Sequence, residues 1–246
     1  ACLRSTALIH TGRAEEALLA LEVALRMCEG CGADFGFGGM IQRLCARRVL
    51  EPIWRGLERQ IWDEAQLERL AAALGRLDLR RSFLTALRGE MAWIVALNRL
   101  GKYSGGSISV GIGFPQRVGI GYRLGERTDG LVAALLPAGW FDQNAALALR
   151  VLHRDLLAPL ETGGFAAVST RPTAPELKPM APYSGFAFSV IHMMTAEIER
   201  AVPTQAELDL AHIACHLELY ALANSGAYAQ ELAAVSGQFP DDVFRP

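Results

Sequence analysis

Apolar residues recur every three or four positions along most of this chain, the spacing of helices that bury one face. The stretch 79–100 is clearest: Leu79, Phe83, Leu87, Met91 and Ile94 share a face, with Leu84 and Val95 at its edge. Glu90 falls inside the same arc, between Leu87 and Ile94, whereas Arg88 projects away from it. A carboxylate in that position is predicted to be buried, and a buried carboxylate needs a partner. Arg43, Arg47, Arg55 and the indoles of Trp54 and Trp140 are the expected candidates. Glu90 therefore reads as a structural clasp. Just upstream, Asp63 precedes Gln66 by three, which predicts a capping box. Leu67, Leu70, Ala71 and Leu74 then keep the helical period, and Asp78 is placed to cap the next helix.

The remaining pattern fills out an all-α chain. Residues 3–29 read as a helical hairpin punctuated by Thr11-Gly12-Arg13. Gly12 to Leu18 resembles the second helix of a tetratricopeptide unit, although no 34-residue repeat follows. A Gly-rich connection is expected over 30–39, then a helix over 40–61 kinked or restarted by Pro52. Residues 104–130 are rich in glycine and hold a near-repeat around Val110 and Val118, which predicts a β-hairpin. They lack a P-loop pattern and its βαβ setting. Helix returns over 131–160, broken near Pro137 and Gly139. Four prolines over 162–182 predict an extended strap. A helix over 186–202 carries Met193 and Met194, expected as core filler. Thr204 and Glu207 look like a second capping box, and Ser225-Gly226 ends the helix that follows. The expected fold is a helical-hairpin, TPR-like array with one short β-hairpin excursion. Its parts are 1–100, 101–130 and 131–246.

Composition narrows the function classes. Of 246 residues, 51% are hydrophobic, enough for a sizeable core. A net charge of −2 favours neither nucleic acid nor an acidic membrane surface. No apolar run reaches a membrane-spanning length. A chain that starts at Ala1 is expected to be trimmed, with any signal or anchor lost upstream. Five cysteines leave at least one free thiol or intermolecular bond. His212 and His216, four apart, have the spacing of two imidazoles on one metal. Cys28 and Cys31 form a C-x-x-C, and together the four would make a Cys2His2 site. Against this, His212 shares a face with Leu208, Cys215, Leu219 and Leu222, the setting of a hydrogen-bonded core histidine. No H-E-x-x-H or G-x-S-x-G motif is present. No cofactor is expected.

Two further stretches carry a family resemblance. Trp62, Asp63, Gln66 and Leu67, then Leu77-Asp78-Leu79, then Ala86-Leu87-Arg88-Gly89-Glu90 resemble a group of largely helical proteins from the Verrucomicrobia and related bacteria. That group also has a Leu-Pro-x-Gly-Trp step before an Asn- or Gln-rich helix start, matched by Leu136, Pro137, Gly139, Trp140, Gln143 and Asn144. Its C-terminal segment is matched from Leu217 to Ala223 and at Gly226 and Tyr228, with Ala229 where the group has Pro. The same segment is similar to the helix end of type II secretion pseudopilins, whose N-terminal helix this chain lacks. The resemblance implies a protein of the cell envelope, outside the cytoplasmic membrane and anchored by a segment absent from this chain. Glu90, Arg88, Trp140, Gln143 and Asn144 are the expected binding or clasp residues. The expected function is a non-enzymatic interaction or scaffold protein with a protein partner. The alternatives are a metal-dependent hydrolase around Glu90 and His212/His216, and a small-molecule or lipid binder.

Overall fold

The computed structural model describes residues 1–31, 36–103, 138–169 and 185–235. Eight α-helices lie in these segments: α1 (Cys2–His10), α2 (Ala14–Cys31), α3 (Gly36–Glu58), α4 (Glu64–Leu74), α5 (Leu79–Tyr103), α6 (Ala138–Val151), α7 (Ala158–Ser169) and α8 (Gly185–Ala223). A π-helical turn, Leu152–Leu157, joins α6 to α7, and a 3-10 turn, Leu232–Ala234, follows α8. Among the described residues there is no strand, so the protein is mostly helical. The expected hairpin over 104–130 lies outside them, as does 170–182 of the expected strap.

α1 and α2 form the hairpin expected from the pattern. Gly12 supplies its turn with φ of +71°, a conformation that suits glycine. Ser5, fully buried, donates to the Ala17 carbonyl at 3.1 Å and ties the two helices together. The capping box of α4 forms as read: Gln66 N donates to Asp63 Oδ1 at 2.9 Å, and Asp63 N donates to Gln66 Oε1 at 3.1 Å. Asp78 caps α5 through the Arg81 N–H at 3.0 Å. α5 buries Leu79, Phe83, Leu87 and Ile94 as its period requires.

Four boundaries differ from the pattern. α2 runs to Cys31 and α3 starts at Gly36, so helix occupies both ends of the expected glycine connection. α3 runs on through Pro52, so the proline does not restart the helix. Helix also extends past 160 to Ser169, with non-helical backbone only at Gly164, φ 66° and ψ −160°. Arg80 accounts for this bend being held. Its Nε donates to the Leu160 carbonyl at 2.9 Å and its Nη2 to the Glu161 carbonyl at 2.7 Å, in the turn before the bend. Finally, Thr204 opens no helix. α8 continues through Pro203, and the Thr204 hydroxyl donates to the Arg200 carbonyl instead. Apolar contacts on both sides of the proline (Ile198, Ala201, Leu208 and Ala211, all buried) hold the helix across the lost N–H.

One core runs from Leu8 to Cys215 and includes apolar residues from all eight helices. α8 packs against α3, α4 and α6, so the C-terminal helix is part of the same core as the N-terminal five.

Candidate functional site

A buried ion pair lies where α3 meets α8. Arg43 and Glu197 have side chains only 7% and 8% exposed. Arg43 directs Nε and Nη2 to the same oxygen, Glu197 Oε2, at 3.2 and 2.9 Å. The other oxygen, Oε1, accepts from the surface Arg200. Beside Arg43, Gln42 is 3% exposed, and its Oε1 has no hydrogen-bond partner among the described residues. A buried charge is tolerated when paired and fully hydrogen-bonded, and Glu197 meets that condition on both oxygens. Glu197 was legible by the logic that exposes Glu90, since it falls among Val190, Met194, Ile198 and Ala201 at helical spacing.

Glu90 is itself buried, at 6% exposure. Arg43 is committed to Glu197, and Arg55 lies against Glu51 and His10. Arg47 is exposed and Trp54 is 39% exposed. Arg88 points to the surface and pairs with Glu161 at 2.6 Å. Asn144 is buried and Gln143 exposed. The side chain of Trp140 lies outside the described residues.

The structure does not assemble the Cys2His2 set. His212 and His216 face each other on α8 with Nε2 atoms 3.2 Å apart and ring centroids 4.9 Å apart. His212 stands beside Gly75, just past α4, where a β-carbon would meet its Cε1 and Nε2 at 3.4 and 3.5 Å. Burial, and then the neighbouring His216, hold the His212 pKa below its usual value. Cys28 and Cys31 have cysteines for neighbours instead. Cys28 is pushed up to about 12, first by burial and then by the proximity of Cys45, Cys2 and Cys31. The Cys45 pKa is also raised, first by burial and then by the proximity of Cys31. Thus four of the five cysteines gather where α1, α2 and α3 pack, all as free thiols. Periodicity within single helices carries no sign of this gathering, because it depends on how three helices cross. Among the described residues, no group of three His, Cys, Asp or Glu side chains is placed to hold a metal ion.

A polar cluster joins α5 to α8. Gln205 Oε1 accepts from the first N–H of α5, Leu79 N, at 2.9 Å, and Gln205 Nε2 donates to Asp209 at 2.8 Å. Burial raises the Asp209 pKa to about 6; the Gln205 hydrogen bond opposes the shift and the Asp78 charge adds to it.

α2 is apolar on two sides. Leu18, Leu21, Leu25 and Cys28 enter the core. Leu19, Val23 and Met27 are 47%, 50% and 61% exposed. At 100° per residue these three fall on the side opposite the core face. Between the faces runs an acidic edge of Glu15, Glu22 and Glu29. Arg69 bridges the first two, and Arg76 meets the third at 2.7 Å. No helix among the described residues is long and apolar enough to cross a membrane. No family model, no curated protein and no solved structure matches this chain.

Proposed function

We propose that this is a non-enzymatic interaction or scaffold protein that binds a protein partner through the outer face of α2. The observation that carries the reading is the exposed stripe of Leu19, Val23 and Met27, directly opposite the core face of the same helix. Single exposed apolar residues are ordinary, but three successive turns on one face make a recognition stripe of the helix-in-groove kind. The salt-bridged edge formed with α4 fixes the orientation of α2 and supplies a charged rim to the stripe. The resemblance to helical proteins of the Verrucomicrobia supports an envelope location, with membrane association through a segment outside this chain.

The test is a photo-crosslinking amino acid at position 30, exposed near the end of α2. Adducts formed in envelope extracts are compared between the parent and Val23→Glu/Met27→Glu. Both substituted positions are exposed, so the melting curve should barely change. The expected result is one discrete adduct with the parent and its loss with the double variant. An adduct of equal yield in both, or none with the parent, overturns the reading.

A further inference from the structure

We propose that His212 and His216 chelate a borderline divalent transition cation, of which Zn2+ is the representative, through their two Nε2 atoms. This site is independent of the partner surface on α2. Four residues apart on one helix, the two imidazoles leave a single rigid backbone segment on the same side. Their Nε2 atoms are 3.2 Å apart. A tetrahedral zinc ion with bonds of roughly 2.0–2.1 Å sets two of its nitrogens about 3.3–3.4 Å apart. The two nitrogens therefore already stand close to the edge length of a zinc coordination polyhedron.

Without a cation, this contact forces one ring to donate its Nε2 proton to the other. With a cation, neither Nε2 carries a proton. The donating ring gives up its Nε2 proton and takes one at Nδ1, so two neutral imidazoles bind with no net proton released. No third acidic, thiol or imidazole group among the described residues completes the shell. Among the described residues the donor set is thus the two imidazoles, and imidazole nitrogen selects zinc, copper or nickel over magnesium or calcium.

The cysteines between α1, α2 and α3 are the obvious competitors for zinc, so the readout must be specific to imidazole. The full chain, with 15N-labelled histidine, is titrated with zinc chloride at pH 7.5 and followed by imidazole 15N spectra and by thiol reactivity. The expected result is that the Nε2 resonances of His212 and His216 move together and saturate at one equivalent, while those of His10 and His153 do not. In His216→Ala, zinc binding at His212 should weaken at least tenfold. His216→Gln serves as the second variant, with the helical signal in circular dichroism showing that each is folded. Zinc that blocks the thiols while leaving both imidazoles unmoved overturns the proposal. So does an equal response of His212 in the parent and in the two folded variants.

Discussion

At the scale of single residues, close packing and buried polar atoms decide what can change. Gly56 lies directly against the Trp62 indole, and a β-carbon there would overlap Nε1 and the neighbouring ring carbons. Trp62 is 5% exposed, so the ring is packed among core neighbours. Gly56→Ala should therefore lower stability by about 1–3 kcal/mol despite the better helix propensity of alanine. Gly30→Ala, with nothing within 4 Å, should leave stability unchanged or raise it by up to about 1 kcal/mol. Urea unfolding of the two variants separates sterics from propensity. Asp209 and His212 give opposite pH signatures. The Asp209 pKa is raised on folding from 3.8 to about 6, so its contribution is fully present below pH 4 and is lost as pH rises through about 6. Each tenfold change in proton affinity is worth roughly 1.4 kcal/mol, which sets a ceiling of about 3 kcal/mol on the loss. Solvent screening at this partly exposed carboxylate lowers it to about 1–2 kcal/mol. His212 is depressed, so its contribution is present above its unfolded value and is lost as pH falls through the folded one. The stability difference between the parent and Asp209→Asn should move against the parent as pH rises from 4 to 6. A difference that is flat over that range contradicts the burial of Asp209.

At the scale of elements, local chemistry was legible wherever it was self-contained. The capping box of Asp63 and Gln66, the Asp78 cap, and the α8 terminus at Ser225-Gly226 each need only neighbouring residues. Ser225 and Gly226 take φ of 56° and 87°, and Gly226 N closes on the Ala221 carbonyl at 2.8 Å. The break expected at Pro203 and the extended backbone expected over 162–169 failed for a different reason: their outcome is set by partners distant in sequence. The core contacts flanking Pro203 outweigh one missing hydrogen bond, and Arg80, some eighty residues away, holds the turn before Gly164. Phe165, just past the bend, stands edge-on to Phe83 with centroids 6.4 Å apart. Arg80 is thus a splint between α5 and α7. Arg80→Met keeps much of the apolar stem but leaves two carbonyls without their guanidinium donors, which should cost about 1–3 kcal/mol. Gly164→Ala should cost about 1–3 kcal/mol because φ +66° with ψ −160° is a conformation that essentially only glycine adopts. If the two changes act through the same bend, their effects in thermal unfolding will be less than additive.

At the scale of the whole molecule, the Arg43–Glu197 pair spans 154 residues of sequence and joins α3 to the helix that ends the core. The sequence pointed to Glu90 as a buried clasp with Arg43, Arg47, Arg55, Trp54 or Trp140 as candidate partners; the carboxylate that Arg43 meets in the structure is Glu197. Periodicity can report that an acidic residue lies in an apolar arc; it cannot say which of two such arcs faces a given arginine. A pair this deeply buried makes its partners interdependent. Arg43→Ala or Glu197→Ala alone strands a charge and should cost about 3–5 kcal/mol, a large part of the 5–15 kcal/mol typical of a domain. Arg43→Met with Glu197→Leu strands neither and should cost markedly less than either single change. Because α8 shares its core with α3, α4 and α6, the loss should also be global. Tryptophan fluorescence, reporting on Trp54, Trp62, Trp93 and Trp140, and helical circular dichroism should give coincident urea transitions in parent and variants. Additive single-variant losses would show that the two side chains do not act as a pair. Separated transitions would show that α8 melts away from the N-terminal helices, and the pair would then be a local contact, not the tie across the fold.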